Sequence, residues 1–457
     1  MMTTVQLKPA SPASSVRGRR HLPALDGLRG VAILGVLLFH TGHLGGGFLG
    51  VDLFFALSGY LITDLLLREV GGSGSVSLVG FWGRRIRRLV PALAVMLVVV
   101  TVVVWGFGAP DLVRSTLSDG PWTQADLVNW HLLAESASYW DSHDAPRVFE
   151  HLWSIAVEEQ FYVVWPVVVL LMAGWARRTG LRAKRQGERQ VELRDKRVEQ
   201  SNDQRVERQD KRRVEQSDEQ PVERQIERRV ESWVAASALV ISLLSLVLMI
   251  ALVDPNDPTR VYTGTDTRAF SLLLGALVAT RPVREALGRV VGRRGGAVAG
   301  VLVVGIAVAW SVADGTGSHW LYVGGLFGHS LAAALLIGLC VQVPGSVVAR
   351  VLGWLPLRWV GQISYSLYLW HWPVFVFLSP QRLHVAGWTW IAVVCAVSIG
   401  SAAASKYLVE DPIRFRAGWA RGRGGLVAFV VLMVGMAVLW WALPAPATPA
   451  IDITRLG

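Results

Sequence analysis

The chain has 457 residues, of which 52% are hydrophobic and only 17% charged, and its mean hydropathy is +0.41. This composition excludes an ordinary soluble globular protein and indicates a polytopic membrane protein surrounded by lipid. The net charge of +11 would also fit a nucleic-acid-binding protein. However, the Lys and Arg residues concentrate between apolar spans, which is the positive-inside pattern of membrane proteins, so we expect no nucleic acid partner.

Residues 1–21 form a basic tail rich in Ser, Pro and Ala. The tail is predicted to be disordered, and its charge predicts a cytoplasmic N-terminus. Because no continuous apolar core precedes a small-residue cleavage site, a removable signal peptide is not expected. Cys340 and Cys395 lie in apolar stretches without metal-type spacing, so neither a disulfide framework nor a metal site is expected from them.

An apolar hairpin at residues 22–64 contains charged and titratable residues that a plain membrane anchor would avoid. The first predicted helix, at about residues 27–41, carries Arg29 and His40. These two residues share one helical face and are separated by roughly 16 Å, about half of a hydrocarbon core. Asp52 lies across a short glycine-rich turn, where it is predicted to orient His40 or make it more basic.

Each of these residues also has a structural interpretation. A charge at mid-membrane costs about 2.5–3.5 kcal/mol on insertion scales, so Arg29 is expected to face a cavity or a charged partner. The alternative is a helix-end arginine that snorkels to the cytoplasmic boundary. His40 could be a core histidine with satisfied hydrogen bonds, but the nearby Asp52 favours a functional role.

Four arginines precede the third predicted span: Arg84, Arg85, Arg87 and Arg88. Such runs ordinarily set the topology or contact lipid headgroups. Arg85 and Arg88 lie one helical turn apart, and guanidinium groups bind phosphates well. The functional hypothesis is that this pair binds the phosphates of a nucleotide-containing cofactor on the cytoplasmic side.

A stripe of polar residues enters the fourth predicted span. His151, Ser154, Glu158 and Tyr162 fall at helical spacing and line one face. Glu159 points about 100° away from this face, towards a neighbouring helix. Because polar groups in a membrane are costly, the stripe predicts either a functional site or a hydrogen-bond network between helices.

A charged segment at residues 176–231 separates the two halves of the chain. Val-Glu recurs there every seven or eight residues, which provides too narrow an apolar face for a strong coiled coil. We therefore predict a solvated cytoplasmic insert that is partly helical or disordered, with a partner-binding role as the functional alternative.

Eleven apolar spans are predicted in total. They lie near residues 27–41, 48–67, 89–107, 152–175, 233–253, 267–280, 296–313, 320–343, 361–379, 387–408 and 425–443. Basic loops alternate with loops that are nearly free of positive charge, as expected for successive membrane crossings.

Two further groups of residues in the second half are candidates for a site. Asp266 and Arg268, at the outer start of one span, would form either a local ion pair or a contact with an acceptor substrate. Tyr365 and His371 belong to a polar and aromatic cluster for which interfacial anchoring is the alternative. No Walker-type glycine loop, GxSxG, HExxH or CxxC motif is present, so phosphate-cradle, serine-hydrolase and zinc mechanisms lack support.

Seven stretches occur in an order that resembles the acyltransferase 3 family of integral-membrane O-acyltransferases, of the bacterial O-acetylase type. They are LDGLRGVAILGVLLFH, GVDLFFALSGYLIT, FWGRRIRRLVPA, HLWSIAVEEQFYVVWP, TDTRAFSLLLGALVA, ISYSLYLWHWP and VEDPIRF, and they extend over about residues 22–415. Each stretch is weakly specific alone, whereas their succession is quite specific.

The resemblance implies an all-α polytopic membrane domain at residues 22–415, a bundle of about ten helices in a bacterial plasma membrane. Residues 416–457 would add one transmembrane helix, at about 425–443, and a short extracytoplasmic tail. The SGNH-type outer domain that several family members carry is not expected here. The resemblance further implies transfer of an acyl group, commonly acetyl, from cytoplasmic acyl-CoA to a hydroxyl of a carbohydrate-type acceptor.

The same resemblance implies roles for the candidate residues. With acetyl-CoA as the expected donor and no metal, Arg85 and Arg88 would bind the diphosphate. His40 would act as general base or transient acyl carrier, Asp52 would orient it, and Arg29 would stabilise the donor or developing charge. Glu158 and Glu159 would support this centre. The residues expected to contact substrates are His151, Ser154, Tyr162, Asp266, Arg268, Tyr365 and His371.

Two other classes of function remain open on the sequence. A transporter or flippase of a glycan or lipid-linked intermediate would also bury Arg, His, Asp and Glu, although no internal inverted repeat is evident. A scaffold recruited through residues 176–231 is the third class, and its main support is the charged insert itself.

Overall fold

A computed structural model of the protein describes residues 22–140, 147–201 and 222–447. Within these ranges the chain is helical and contains no β-strand. The predicted disordered tail, the middle of the charged insert and the end of the C-terminal tail lie outside the described residues. The prediction of an all-α fold is confirmed.

Fourteen α-helices of seven or more residues build the described part of the fold. They are α1 (Pro23–His40), α2 (Gly50–Ser73), α3 (Leu78–Phe107), α4 (Pro110–Gln124), α5 (Val128–Ala134), α6 (Trp153–Ser201), α7 (Val222–Leu252), α8 (Thr265–Ala279), α9 (Arg281–Val291), α10 (Gly295–Val312), α11 (Gly325–Gln342), α12 (Leu355–Phe377), α13 (Gly387–Ala404) and α14 (Gly422–Ala442). Each of the eleven predicted spans coincides with one of these helices. The additional helices are α4, α5 and α9, which are shorter and more polar.

Nine helical segments of the described chain are long and apolar enough to cross a membrane. Two of the predicted spans are not among these nine. Helix α8 has only 15 residues, fewer than the roughly 20 needed to span a bilayer. Helix α12 carries a polar stretch that includes Ser364, Ser366 and His371, all of them buried in the bundle. The protein is therefore an all-α polytopic membrane protein with two less apolar helices packed inside it.

Glycines bring the central helices unusually close together. On α2, a Cβ at Gly59 would overlap the carbonyl of Leu272 on α8, and a Cβ at Gly275 would overlap the carbonyl of Ala56 in return. Small residues drive helix packing in lipid because they let backbones approach closely. The reciprocal contact fixes the position of α2 against α8.

Helices α1 and α12 pack in the same way. Gly30 lies against the carbonyl of Leu357, and Gly361 lies against the carbonyl of Asp26. As a result, the helix that carries Arg29 and His40 has a fixed register against the helix that carries Tyr365 and His371.

The bundle has two ends that differ in composition. At the basic end, α1 begins, α2 ends at Ser73 and α3 begins at Leu78; Gly74 lies against the guanidinium of Arg177 there. At the opposite end, which we call the loop end, α1 ends at His40 and α4 and α5 connect α3 to α6. The basic end is the predicted cytoplasmic side, and the orientation of the N-terminus stays a prediction.

Candidate functional site

A cavity of about 540 Å³ enters the bundle from the basic end. Its mouth is lined by Arg68, Lys406 and Arg414, and its deep end is lined by Ser154 and Tyr368. This volume lies within the range of typical small-molecule sites. The cavity therefore connects the basic end of the bundle to a polar region close to the loop end.

Half-buried arginines line the interior of this cavity. Arg29 enters it from α1, and Arg85 and Arg88 enter it from α3. The Arg85 guanidinium lies over the ring of Tyr162, 4.9 Å from the ring centroid. Arg84, by contrast, is exposed and pairs with Glu69 at 3.4 Å. Because α3 directs Arg85 and Arg88 inward and Arg84 outward, the interior is suited to bind an anion.

The two adjacent glutamates of α6 have different surroundings. The hydroxyls of Ser58 and Tyr162 both donate hydrogen bonds to Oε1 of Glu158, which lines the cavity. Arg29 interacts electrostatically with Glu158 as well. Glu159 is not among the residues that line the cavity, and the nearest charges include Asp126 and Arg85. The structure thus places Glu158, and not Glu159, in the predicted site.

The deep end of the cavity is held together by hydrogen bonds between α6 and α12. The hydroxyl of Tyr368 accepts a hydrogen bond from Ser154 at 2.7 Å and donates one to the carbonyl of His151 at 2.9 Å. The Nε2 atom of His151 lies 3.3 Å from the carbonyl oxygen of Leu369. Ser154, Glu158 and Tyr162 of the predicted polar stripe line the cavity, and the stripe also joins two helices through hydrogen bonds; its role in a reaction stays a prediction.

Three histidines lie together just beyond this deep end. The ring centroids of His40 and His371 are 5.3 Å apart, and those of His151 and His371 are 5.4 Å apart. His40 is half-buried and packs against Trp372, with 4.6 Å between ring centroids. His371 and Trp372 follow Tyr368 by one helical turn, so the histidine cluster lies one turn closer to the loop end than the end of the cavity.

Asp52 has partners other than His40. Its Oδ1 atom accepts hydrogen bonds from Nη2 of Arg268 at 2.8 Å, from Ser271 at 2.9 Å and from Ser330 at 3.0 Å. Asp52 and Arg268 are both fully buried. A buried carboxylate needs an opposite charge and hydrogen bonds, and α8 and α11 supply both. The expected pairing of Asp52 with His40 is thus replaced by a pairing with Arg268.

Asp266 and Arg268 do not form the local ion pair that was the alternative interpretation. Asp266 binds Arg260 through two hydrogen bonds, at 3.0 and 2.7 Å. Residues two positions apart on a helix do not face each other. Arg268 therefore points into the core, where its guanidinium lies 5.0 Å from the ring centroid of Tyr262, and not towards an acceptor site.

The mouth of the cavity contains charged residues that were not singled out from the sequence. Helix α13 continues into two π-helical turns, Ser405–Glu410 and Pro412–Arg416, and their charged side chains line the mouth. Lys406 pairs with Asp411 at 3.0 Å. Departures from α-helical geometry are frequent at functional sites. The available signal was the VEDPIRF stretch, which places charges directly after an apolar span.

Tyr365, another predicted site residue, lines the cavity and donates a hydrogen bond to the carbonyl of Leu89 at 3.0 Å.

Among the described residues, the one group close enough together to hold a metal ion is Asp119, His131 and Glu135, at the loop end. Arg147 pairs with both of these carboxylates, so the group is already neutralised in part by a cation. The absence of a metal from the mechanism stays a prediction.

The fold and the site define a multi-pass membrane protein whose cavity, lined by both basic and acidic side chains, leads to a cluster of three histidines. A comparison with family models extends this description: the model of the acyltransferase domain matches residues 22–410, and the chain belongs to that family. The resemblance that the sequence motifs indicated is confirmed.

Similar proteins are found among bacterial O-acetyltransferases. The peptidoglycan O-acetyltransferase OatA of Listeria monocytogenes is 32% identical over 403 residues, which cover 87% of this chain and 56% of that protein. The O-acetyltransferase OatA of Staphylococcus aureus is 31% identical over 405 residues, which cover 86% of this chain and 57% of that protein. The chain thus spans little more than half the length of these relatives. No solved structure is similar to it.

Proposed function

We propose that this protein is a bacterial membrane O-acetyltransferase that transfers an acetyl group from acetyl-CoA to a hydroxyl of a cell-envelope carbohydrate such as peptidoglycan. The observation that carries the proposal is the cavity with Arg29, Arg85 and Arg88 in its interior, which runs from the basic end to Tyr368, directly below the cluster that contains His40. The names of the similar proteins support both the acetyl group and the carbohydrate acceptor.

In this proposal the donor enters from the basic end, which the positive-inside rule assigns to the cytoplasm. Its diphosphate lies beside Arg85 and Arg88, whose planar guanidinium groups suit phosphate oxygens. The thioester end extends past Tyr368 towards His40. Because Arg29 and His40 are separated by roughly 16 Å along one helix, Arg29 acts on the donor inside the cavity and not on the reacting carbonyl.

His40 performs the proton transfer. Its imidazole removes the proton from the acceptor hydroxyl, the oxygen attacks the thioester carbonyl, and the C–S bond breaks as CoA leaves as a thiolate that takes up the proton. In the covalent version, His40 itself attacks the thioester carbonyl, the C–S bond breaks and CoA leaves as a thiolate that takes the imidazole N–H proton. The acceptor oxygen then attacks the acetyl-imidazole, the C–N bond breaks, and the hydroxyl proton returns to the imidazole. Both versions place the acceptor at the loop end, where His40 is half-buried.

The test compares two histidines of the same hairpin. Purified protein in nanodiscs is incubated with [14C]acetyl-CoA and soluble peptidoglycan fragments. His40→Ala is expected to lower label transfer by about 10²–10⁴-fold, the usual contribution of a general base. The matched control is His43→Ala, because His43 is exposed at the tip of the hairpin, where its ring contacts the carbonyl of Thr41 and the ring of Trp388.

Equal transfer by wild type and His40→Ala would overturn the assignment of His40. The transporter or flippase hypothesis makes a different prediction for the same protein in liposomes. Movement of a glycan or lipid-linked intermediate across the bilayer, without transfer of label, would identify a transporter and overturn the proposed reaction.

A further inference from the structure

Arg147 connects the helices of the loop end. Its Nη1 atom lies 2.7 Å from Oδ1 of Asp119 on α4, and its Nη2 atom lies 2.5 Å from Oε2 of Glu135, at the end of α5. Asp119 is fully buried, and the Arg147 side chain is only 23% exposed. One partly desolvated guanidinium therefore bridges two carboxylates, an arrangement that holds its own backbone in place.

The two carboxylates are themselves held in position. Nε2 of His131 lies 3.2 Å from Asp119 and 3.4 Å from Glu135. The ring of Trp122 stacks on His131, with 5.3 Å between centroids and 13° between planes. The group to which Arg147 is bound is thus an ordered part of the loop end and not a pair of free surface charges.

The backbone carbonyl of Arg147 accepts two hydrogen bonds. One, of 3.3 Å, comes from the backbone N–H of Glu150 and closes a local turn, and the other, of 2.8 Å, comes from the indole N–H of Trp372 and leads to the histidine cluster. Trp372 in turn packs against His40, at 4.6 Å between ring centroids. Tryptophans near a membrane surface commonly place their N–H among lipid headgroups. Here the N–H is bound to protein and the ring contacts His40, which a simple membrane anchor does not require.

We propose that Arg147 is a positioning residue for the acetyl transfer described above: its two ion pairs fix the carbonyl that holds Trp372, and Trp372 fixes the orientation of the His40 ring. The inference rests on the proposed function of His40. It assigns to the α4–α5 region a role in catalysis without contact with either substrate, because a small displacement of a catalytic group lowers the rate strongly.

The first test separates turnover from donor binding. Arg147→Ala and Trp372→Phe are each expected to lower kcat about ten-fold, with an unchanged KM for acetyl-CoA because the donor binds in the cavity. Trp372→Phe keeps an aromatic ring but removes the N–H donor. Since both variants break the same series of contacts, the double variant is expected to be no slower than the slower single variant. Independent, multiplying losses would overturn the proposal.

Arg114→Ala is the matched control, since Arg114 lies on the same helix as Asp119 but pairs with the exposed Asp111. It should keep wild-type kcat. If Arg147→Ala does not fold, Trp372→Phe still tests the proposal, because it leaves both ion pairs of Arg147 intact.

The second test does not need turnover. Modification of histidines by diethyl pyrocarbonate is measured peptide by peptide, and the rate at His40 is divided by the rate at the exposed His319. We expect this ratio to change at least three-fold in Arg147→Ala and Trp372→Phe but not in Arg114→Ala. Unchanged kcat and an unchanged ratio would overturn the positioning role. If the ratio changes in these variants but the wild-type protein transfers no acetyl group, the positioning role of Arg147 is supported and the proposed function is overturned.

Discussion

At the scale of single residues, the buried carboxyl of Asp119 predicts how activity depends on pH. Burial raises the pKa of Asp119 to about 7, in spite of the adjacent Arg147. The pKa values of its neighbours shift in the opposite direction: burial lowers the pKa of His131, and in Glu135 the Arg147 guanidinium outweighs burial and lowers the carboxyl pKa. Below about pH 7, protonation of Asp119 therefore removes one of the two charges that hold Arg147.

The measurement is the kcat of Asp119→Asn divided by the kcat of wild type between pH 6 and pH 8. Asn resembles the protonated carboxyl, so the ratio should be about one-tenth at pH 8 and rise towards one at pH 6. The division cancels any pH dependence that the two proteins have in common. A ratio that does not vary with pH would show that the charge of Asp119 has no influence on catalysis.

The positions of Arg85 and Arg88, which α3 directs into the cavity, predict how their removal changes the KM for acetyl-CoA. Hydrogen bonds to charged groups contribute about 1.5–3 kcal/mol, so Arg85→Ala or Arg88→Ala should raise the KM for acetyl-CoA by roughly 10- to 100-fold. Arg84→Ala is the matched control because Arg84 is exposed and bound to Glu69. Steady-state kinetics at varied acetyl-CoA give the answer. Equal effects at all three positions would indicate a general role of surface charge.

At the scale of helices, the glycine contacts predict where an added methyl group is harmful. Gly59→Ala would push α2 away from the Leu272 carbonyl of α8, and overpacking of this kind costs about 1–3 kcal/mol. Gly174→Ala on α6 is the control, because nothing lies within 4 Å of the added group. Thermal unfolding in detergent should show a lower midpoint for Gly59→Ala only. Equal midpoints would mean that α2 and α8 pack less closely.

The buried ion pair between α2 and α8 gives a second prediction at this scale. Removal of one partner leaves the other charge buried and unpaired, which costs about 3–5 kcal/mol. Arg268→Ala should therefore unfold at a clearly lower temperature than wild type. The double variant Asp52→Asn, Arg268→Ala should recover part of the loss, since no charge is left unpaired. If it recovers nothing, Asp52 has a role beyond its pairing with Arg268.

The helices were far easier to predict from the sequence than the side-chain contacts between them. Apolar stretches are conspicuous in a sequence, so all eleven predicted spans coincide with helices of the described chain, although only nine of them are long and apolar enough to cross a bilayer. Helices α4 and α5 are short and polar and resemble a loop by composition. The pairing of Asp52 with Arg268 joins residues 216 positions apart, and no local pattern encodes such a contact. Proximity to His40 along the chain therefore suggested the wrong partner for Asp52.

At the scale of the whole molecule, the candidate site is not a single cluster but a path, which follows the cavity from the basic end to the histidine cluster. Arg85, Arg88 and the region of His40 were singled out from the sequence because charges in apolar spans are conspicuous, and their roles stay predictions. The sequence could not predict that π-helical turns after α13 would bring Lys406 and Arg414 to the cavity mouth. The path through the bundle depends on how five helices pack, whereas sequence patterns describe one helix at a time.

The charged insert is a part of the molecule that the path does not use. Helix α6 has 49 residues, or roughly 74 Å, which is more than twice a hydrocarbon core. The described side chains between Arg182 and Leu193 are exposed. Packing resumes on α7 at Ile226 and Val230, and Glu231 accepts a hydrogen bond of 2.8 Å from the backbone N–H of Arg281. The boundary between insert and bundle therefore lies near residue 224.

Replacement of residues 183–223 by a flexible Gly/Ser linker should consequently leave acetyl transfer and the unfolding midpoint close to wild-type values. A longer replacement, of residues 183–231, is the matched comparison: it removes Ile226, Val230 and Glu231 from the bundle and should lower the midpoint. Both are measured on purified protein, where no other protein is present. Loss of acetyl transfer in the shorter replacement alone, with an unchanged midpoint, would show that the insert takes part in the reaction itself.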